Sequence, residues 1–95
     1  MGGPVLPISR TSDGLAQNDG YTPRTFHGGV VKAGAACEVE IRDGSVAGTV
    51  LSSARLGAAG EIVLPLGPSE RGVATANGVW VEVVSGTPTV TVFVS

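Results

Sequence analysis

The sequence predicts an all-β fold, a small antiparallel β-sandwich or jelly-roll-like barrel with an extended N-terminal arm. Three observations carry that expectation. Apolar and β-branched residues alternate with polar ones over short runs, the period of a strand with one buried face. Fifteen glycines and six prolines among 95 residues punctuate these runs at roughly the spacing of short strands in an all-β domain. No stretch of helical period is long enough to serve as a crossover between parallel strands.

Residues 1–22 differ from the rest and read as the extended arm, with residues 23–95 as the sandwich. Pro4, Pro7, Gly2, Gly3, Gly14 and Gly20 make this part loop-like, with an apolar patch at Val5, Leu6 and Ile8. Proline cannot donate to a ladder. The arm reads either as a disordered tail or as a segment that orders by lying along a neighbouring subunit, and its removal is expected to leave the sandwich folded.

Strand signals begin at Thr25. Thr25-Phe26-His27 leads through Gly28-Gly29 into Val30-Val31-Lys32, either one strand with a glycine irregularity or two short ones. Cys37 to Arg42 places Cys37, Val39 and Ile41 on one face and Glu38, Glu40 and Arg42 on the other, and Asp43-Gly44 ends it as a turn. A short strand is expected at Thr49–Ser52, a loop at 54–60, and a strand at Glu61–Leu66 in which Val63 points opposite to Ile62 and Leu64. Asn77-Gly78 then turns into the last eighteen residues. There Val79, Val81 and Val83, and after Ser85-Gly86-Thr87-Pro88 also Val90, Val92 and Val94, repeat with period two. A hairpin is expected, with Val81 opposite Val92 and Trp80 opposite Phe93 on the reverse face.

Composition narrows function. A net charge of −2 gives no electrostatic footprint for nucleic acid or an acidic membrane. No apolar stretch approaches the ~20 residues of a spanning helix, and the N-terminus carries no basic segment followed by an apolar run, so no secretory signal is expected. One cysteine, Cys37, allows no internal disulfide. It shares a face with Val39 and Ile41, which predicts an inert core thiol. His27 is the sole histidine and lacks gathered partners for zinc. Glu38 and Glu40 read as a solvated strand face, Gly28-Gly29 lacks the helix start of a phosphate loop, and Ser52-Ser53 has no base in view. No catalytic residue, metal or cofactor is expected, and the chain is not read as an enzyme. Val5, Leu6, Ile8, Tyr21, Trp80 and Phe93 are the candidate protein-interface residues, because exposed aromatic and apolar groups on a small domain favour burial against a partner.

From Cys37 onward the runs EIRDGSVAGTVLSS, AAGEIVLPLG and NGVWVEVVSGTPTVTVFVS resemble small virion proteins of tailed bacteriophages, of the capsid-decoration (cement) and head-fibre type. The residues that carry the resemblance are Asp43-Gly44, Gly48-Thr49-Val50-Leu51, Gly60 and the turn Ser85-Gly86-Thr87-Pro88. It covers about residues 25–95. The resemblance implies a non-enzymatic structural protein of the virion, assembled in the host cytoplasm, that binds the major capsid protein or another virion protein. It also implies a homo-oligomer, with a trimer favoured, that stabilises the shell by bridging capsid subunits. A tail, neck or fibre subunit, or a glycan-binding module using Trp80 or Tyr21, is the alternative.

Overall fold

The fold was obtained as a computed structural model, which describes residues 5–17, 22–65 and 72–95. Among the described residues nine strands follow one another: β1 (Leu6–Arg10), β2 (Gly14–Leu15), β3 (Thr25–Ala33), β4 (Cys37–Asp43), β5 (Val50–Leu56), β6 (Gly60–Leu64), β7 (Val73–Ala74), β8 (Val79–Ser85) and β9 (Thr89–Val94). All pairings are antiparallel. One sheet has the order β1-β9-β3-β6, with the short β7 also on β3, and the other has the order β2-β8-β4-β5.

The topology is a jelly roll. β4 pairs with β5, β3 with β6, β2 with β8 and β1 with β9. The chain thus behaves as one long hairpin whose tip is the 44–49 turn, rolled so that successive pairs fall alternately into the two sheets. Alternation within each strand turns one face inward. Val39, Ile41, Val79 and Val81 from one sheet share a single core with Phe26, Val31, Leu64, Val90, Val92 and Val94 from the other. Cys37 belongs to this core, 3% exposed, as its alternation with Val39 and Ile41 requires.

The final eighteen residues do not form the expected hairpin. β8 lies in one sheet and β9 in the other, so Val81 and Val92 are not ladder neighbours and Trp80 does not face Phe93. Val81 pairs with Ile41 and Gly14, whereas Val92 pairs with Ile8 and Gly29. The valine faces were read correctly as buried, but the two rows line opposite walls of one core. Period two reports only which face of a strand is inward, and that pattern is the same for a hairpin and for two strands in opposed sheets.

The stretch read as an arm also differs. β1 supplies an edge strand to one sheet and β2 to the other, and Ala16 is fully buried. Pro7 is compatible because β1 is an edge, where only one side of the strand must pair. The turn between them is organised by Arg10. Its guanidinium donates to the carbonyl oxygens of Ser12 at 3.0 Å, Asp13 at 2.8 Å and Leu15 at 3.2 Å. Gly14 has φ +152°, and a Cβ there would lie 2.3 Å from the Arg10 Nη2 atom, so the glycine makes room for the clamp. The Asp13 carboxylate accepts the Val83 N–H at 2.8 Å, satisfying an edge donor of β8 that the two-residue β2 does not reach. Such arms cost entropy to order, and here the ordering is done within the chain.

The opposite corner joins β5 to β6 across residues 57–59. β5 is longer than expected and runs through Leu56, with the small Ser52 and Ala54 on its inner face. Ser52 Oγ donates to the Pro65 carbonyl at 2.6 Å, tying β5 to the end of β6.

Candidate interaction face

The sandwich has two outer faces of different chemistry. On the β2-β8-β4-β5 sheet, Trp80 sits opposite Leu15 and Arg42, and Glu82 opposite Glu40. Arg42 Nη2 donates to Glu40 Oε1 at 2.7 Å and its Nη1 to the Gly48 carbonyl at 2.9 Å. Trp80 Nε1 donates to Glu82 Oε1 at 3.0 Å. Not every polar group of this face is partnered: Glu38 stands opposite Arg55 without closing an ion pair, and Arg42 Nε is buried with no hydrogen-bond partner.

The outer face of the other sheet is mixed, with Ser9 hydrogen-bonded to Thr91 at 2.8 Å beside one apolar patch. Alternation from the buried valines directs Pro7, Phe93, Val30 and Val63 outward on β1, β9, β3 and β6. Val63 is 68% exposed, while Val30 and Phe93 are half-buried. Between β3 and its neighbours lies an open groove of about 400 Å³, lined by His27, Gly28, Gly29, Val30, Val63, Leu64, Pro65 and Phe93. Its floor exists because of a β-bulge: the β3–β9 register shifts between Phe26 and Gly29, and Gly28 takes φ 95°, a conformation other residues resist. A Cβ on Gly29 would come within 2.4 Å of the Thr91 carbonyl oxygen, so the strand can pass here only without a side chain. His27 Nε2 and Ser95 Oγ are hydrogen-bonded at 2.7 Å, pinning the bulge to the end of β9.

Beside the groove, Lys32 faces Glu61 across β3 and β6, both exposed. They close no ion pair: among the described residues the one ion pair is Arg42 to Glu40. No group of three or more His, Cys, Asp or Glu side chains stands together among the described residues.

The residues proposed from sequence are thus dispersed. Phe93 lies on the apolar face and Trp80 on the opposite sheet, bonded to Glu82. Leu6 and Ile8 point to the inner side of β1 and are half-buried, with Ile8 packed against the core, while Val5 is 49% exposed just before it. Tyr21 lies outside the described residues. The groove itself, with Val30, Val63 and Pro65, was missed as a site. Its sequence signal was present: Val63 is a large apolar residue on the side of its strand opposite to Ile62 and Leu64, where a polar one is usual. Comparison with family models, with curated proteins and with solved structures finds no match.

Proposed function

We propose that this chain is a non-enzymatic virion protein of a tailed bacteriophage, a capsid-decoration protein that bridges subunits of the outer shell. The observation that supports the reading is the contrast between its outer faces. One is built around charged residues and Trp80, and the other presents an apolar groove with Val63 exposed at its rim. Apolar surface of this kind on a small domain marks a protein–protein contact, and the face would be buried against another protein in the particle. Jelly rolls serve in capsid and lectin domains alike, and a fold does not by itself assign a function. The choice of the virion therefore rests on the resemblance of residues 25–95. Assembly would take place in the host cytoplasm, with the major capsid protein or another virion protein as partner.

The test is attachment. Purified protein is added to particles that lack it, and bound protein is measured after sedimentation together with the temperature at which the shell opens. Saturable binding and a raised opening temperature are expected. Absence of binding to the shell, or binding confined to tail or neck, would overturn the decoration role.

A further inference from the structure

We infer that the apolar face pairs with the same face of a second copy, about a two-fold axis running along the strands between β3 and β6. The inference rests on reading this face as an assembly surface, and it names the partner.

The argument is one of self-complementarity. Residues 61, 63 and 65 of β6 and its end are all exposed and form a ridge. Next to it, β3 forms a furrow where the bulged Gly28 carries no side chain, walled on the far side by Phe93. A two-fold axis parallel to the strands and midway between them exchanges β3 of one copy with β6 of the other. The registers Val30↔Val63 and Lys32↔Glu61 then bring Val63 of each copy over Val30 of its partner. Pro65, one residue past the Gly29↔Leu64 pair, lies over the glycine furrow. Lys32 of each copy meets Glu61 of the other. Two apolar contacts, two ridge-in-furrow contacts and two opposite-charge contacts result from one operation.

Both charges are exposed and unpaired within the chain, so they are free to close across the boundary. Aligned sheets pack face to face at about 10 Å with their strands within ~30°, which this axis allows. A two-fold contact uses one patch on both partners, whereas the trimer implied by the resemblance needs two different complementary patches. The groove and its ridge are adjacent halves of a single patch. A dimer also displays its remaining surface twice, which suits bridging of two shell subunits.

The experiment is sedimentation equilibrium of the full chain, with circular dichroism as the check on folding. The parent should be a dimer at tens of micromolar, the range of ordinary protein contacts. Val63→Asp, at an exposed position, should stay folded and weaken dimerisation by at least about tenfold. Lys32→Glu should weaken it similarly, and Lys32→Glu combined with Glu61→Lys should restore it to within about threefold of the parent. A monomeric or trimeric parent, a dimer indifferent to Val63→Asp, or failure of the double reversal to rescue would each overturn the pairing. Particle binding separates the two readings. A monomeric parent that still decorates particles sinks the dimer alone, and a dimer that never binds particles sinks the decoration role alone.

Discussion

The two outer faces of this jelly roll are built from the same kind of alternating strand, yet they end in opposite states. On the β2-β8-β4-β5 sheet, Arg42 reaches Glu40 and Trp80 reaches Glu82, while Glu38 and Arg55 face each other without an ion pair. On the β1-β9-β3-β6 sheet, Phe93, Val30 and Val63 surround a glycine furrow, and Lys32 and Glu61 remain unpaired. Unpaired charges stand on both faces, so the comparison teaches that the difference lies in apolar side chains beside a furrow, which only the second face gathers. A tryptophan attracts attention in a sequence, but here it is the more occupied aromatic; Phe93 lies on the face with unfinished contacts.

The same substitution placed inside and outside breaks or confirms this division, and it carries the largest expected effect. Val81→Asp or Val92→Asp puts an unpaired carboxylate into a fully buried site. The cost should exceed about 4 kcal/mol, a large part of the ~5–15 kcal/mol available to a domain. Val63→Asp, measured at a concentration where the parent is monomeric, should change stability by less than about 1 kcal/mol. Urea denaturation followed by circular dichroism measures all three. Comparable losses at position 63 and position 81 would mean that the apolar face is core, not surface.

How much of this was legible follows from what alternation encodes. It identified the buried face of β4, β8 and β9 because burial depends on side-chain period alone. It could not identify the strand across the ladder: Val81 and Val92 obey the same pattern whether they sit side by side or on opposed walls. Partner choice in a jelly roll is made between residues far apart in sequence, such as Ile8 with Val92, and no local signal encodes it. The first strands were hidden for a related reason. Pro7 looked disqualifying, but an edge strand needs only one side, and edge position is a property of the finished sheet. The groove was half visible, in an outward Val63 and an irregular Gly28-Gly29, but only the β3–β6 register brings the two together.

Two tethers provide the next comparison. Arg10 makes three charge-assisted bonds to carbonyls in the β1–β2 turn, and Ser52 makes a single hydroxyl bond that ties β5 to the residue after β6, away from the 57–59 connection. Bonds to charged groups are worth about 1.5–3 kcal/mol and neutral ones about 1 kcal/mol. Arg10→Met should therefore cost about 2–3 kcal/mol and Ser52→Ala about 1 kcal/mol. Deletion of residues 1–16 should prevent stable folding, since it removes β1, β2 and the buried Ala16 together. A truncated protein that melts near the parent would return those residues to the role of a detachable arm.

Cys37 tests the core from its margin. Its thiol should react slowly with a thiol reagent in the native protein and fully after denaturation. Cys37→Ser should cost about 1–3 kcal/mol, because a hydroxyl there would be buried without a designed partner. Fast native labelling would open the β4 end of the core to solvent and weaken the contrast between inside and outside.

The smallest expected effect falls on the charged face. Glu82 and Glu40 are direct cross-strand neighbours, and like charges opposite one another are destabilising by a few tenths of a kcal/mol. Arg42 offsets this on one carboxylate and the Trp80 N–H on the other. Glu82→Gln removes the repulsion but keeps an oxygen that can accept from Trp80 Nε1 at the same position, so loss and gain nearly cancel. The expected change is within about 0.5 kcal/mol, with the tryptophan emission unshifted and, because the substitution lies on the far face, self-association unaltered. Glu82→Leu discards the acceptor as well and should cost about 1 kcal/mol. If Glu82→Gln instead weakened self-association as Val63→Asp is expected to, the charged face would also be contact surface. The assignment of self-association to the apolar face alone would then fail.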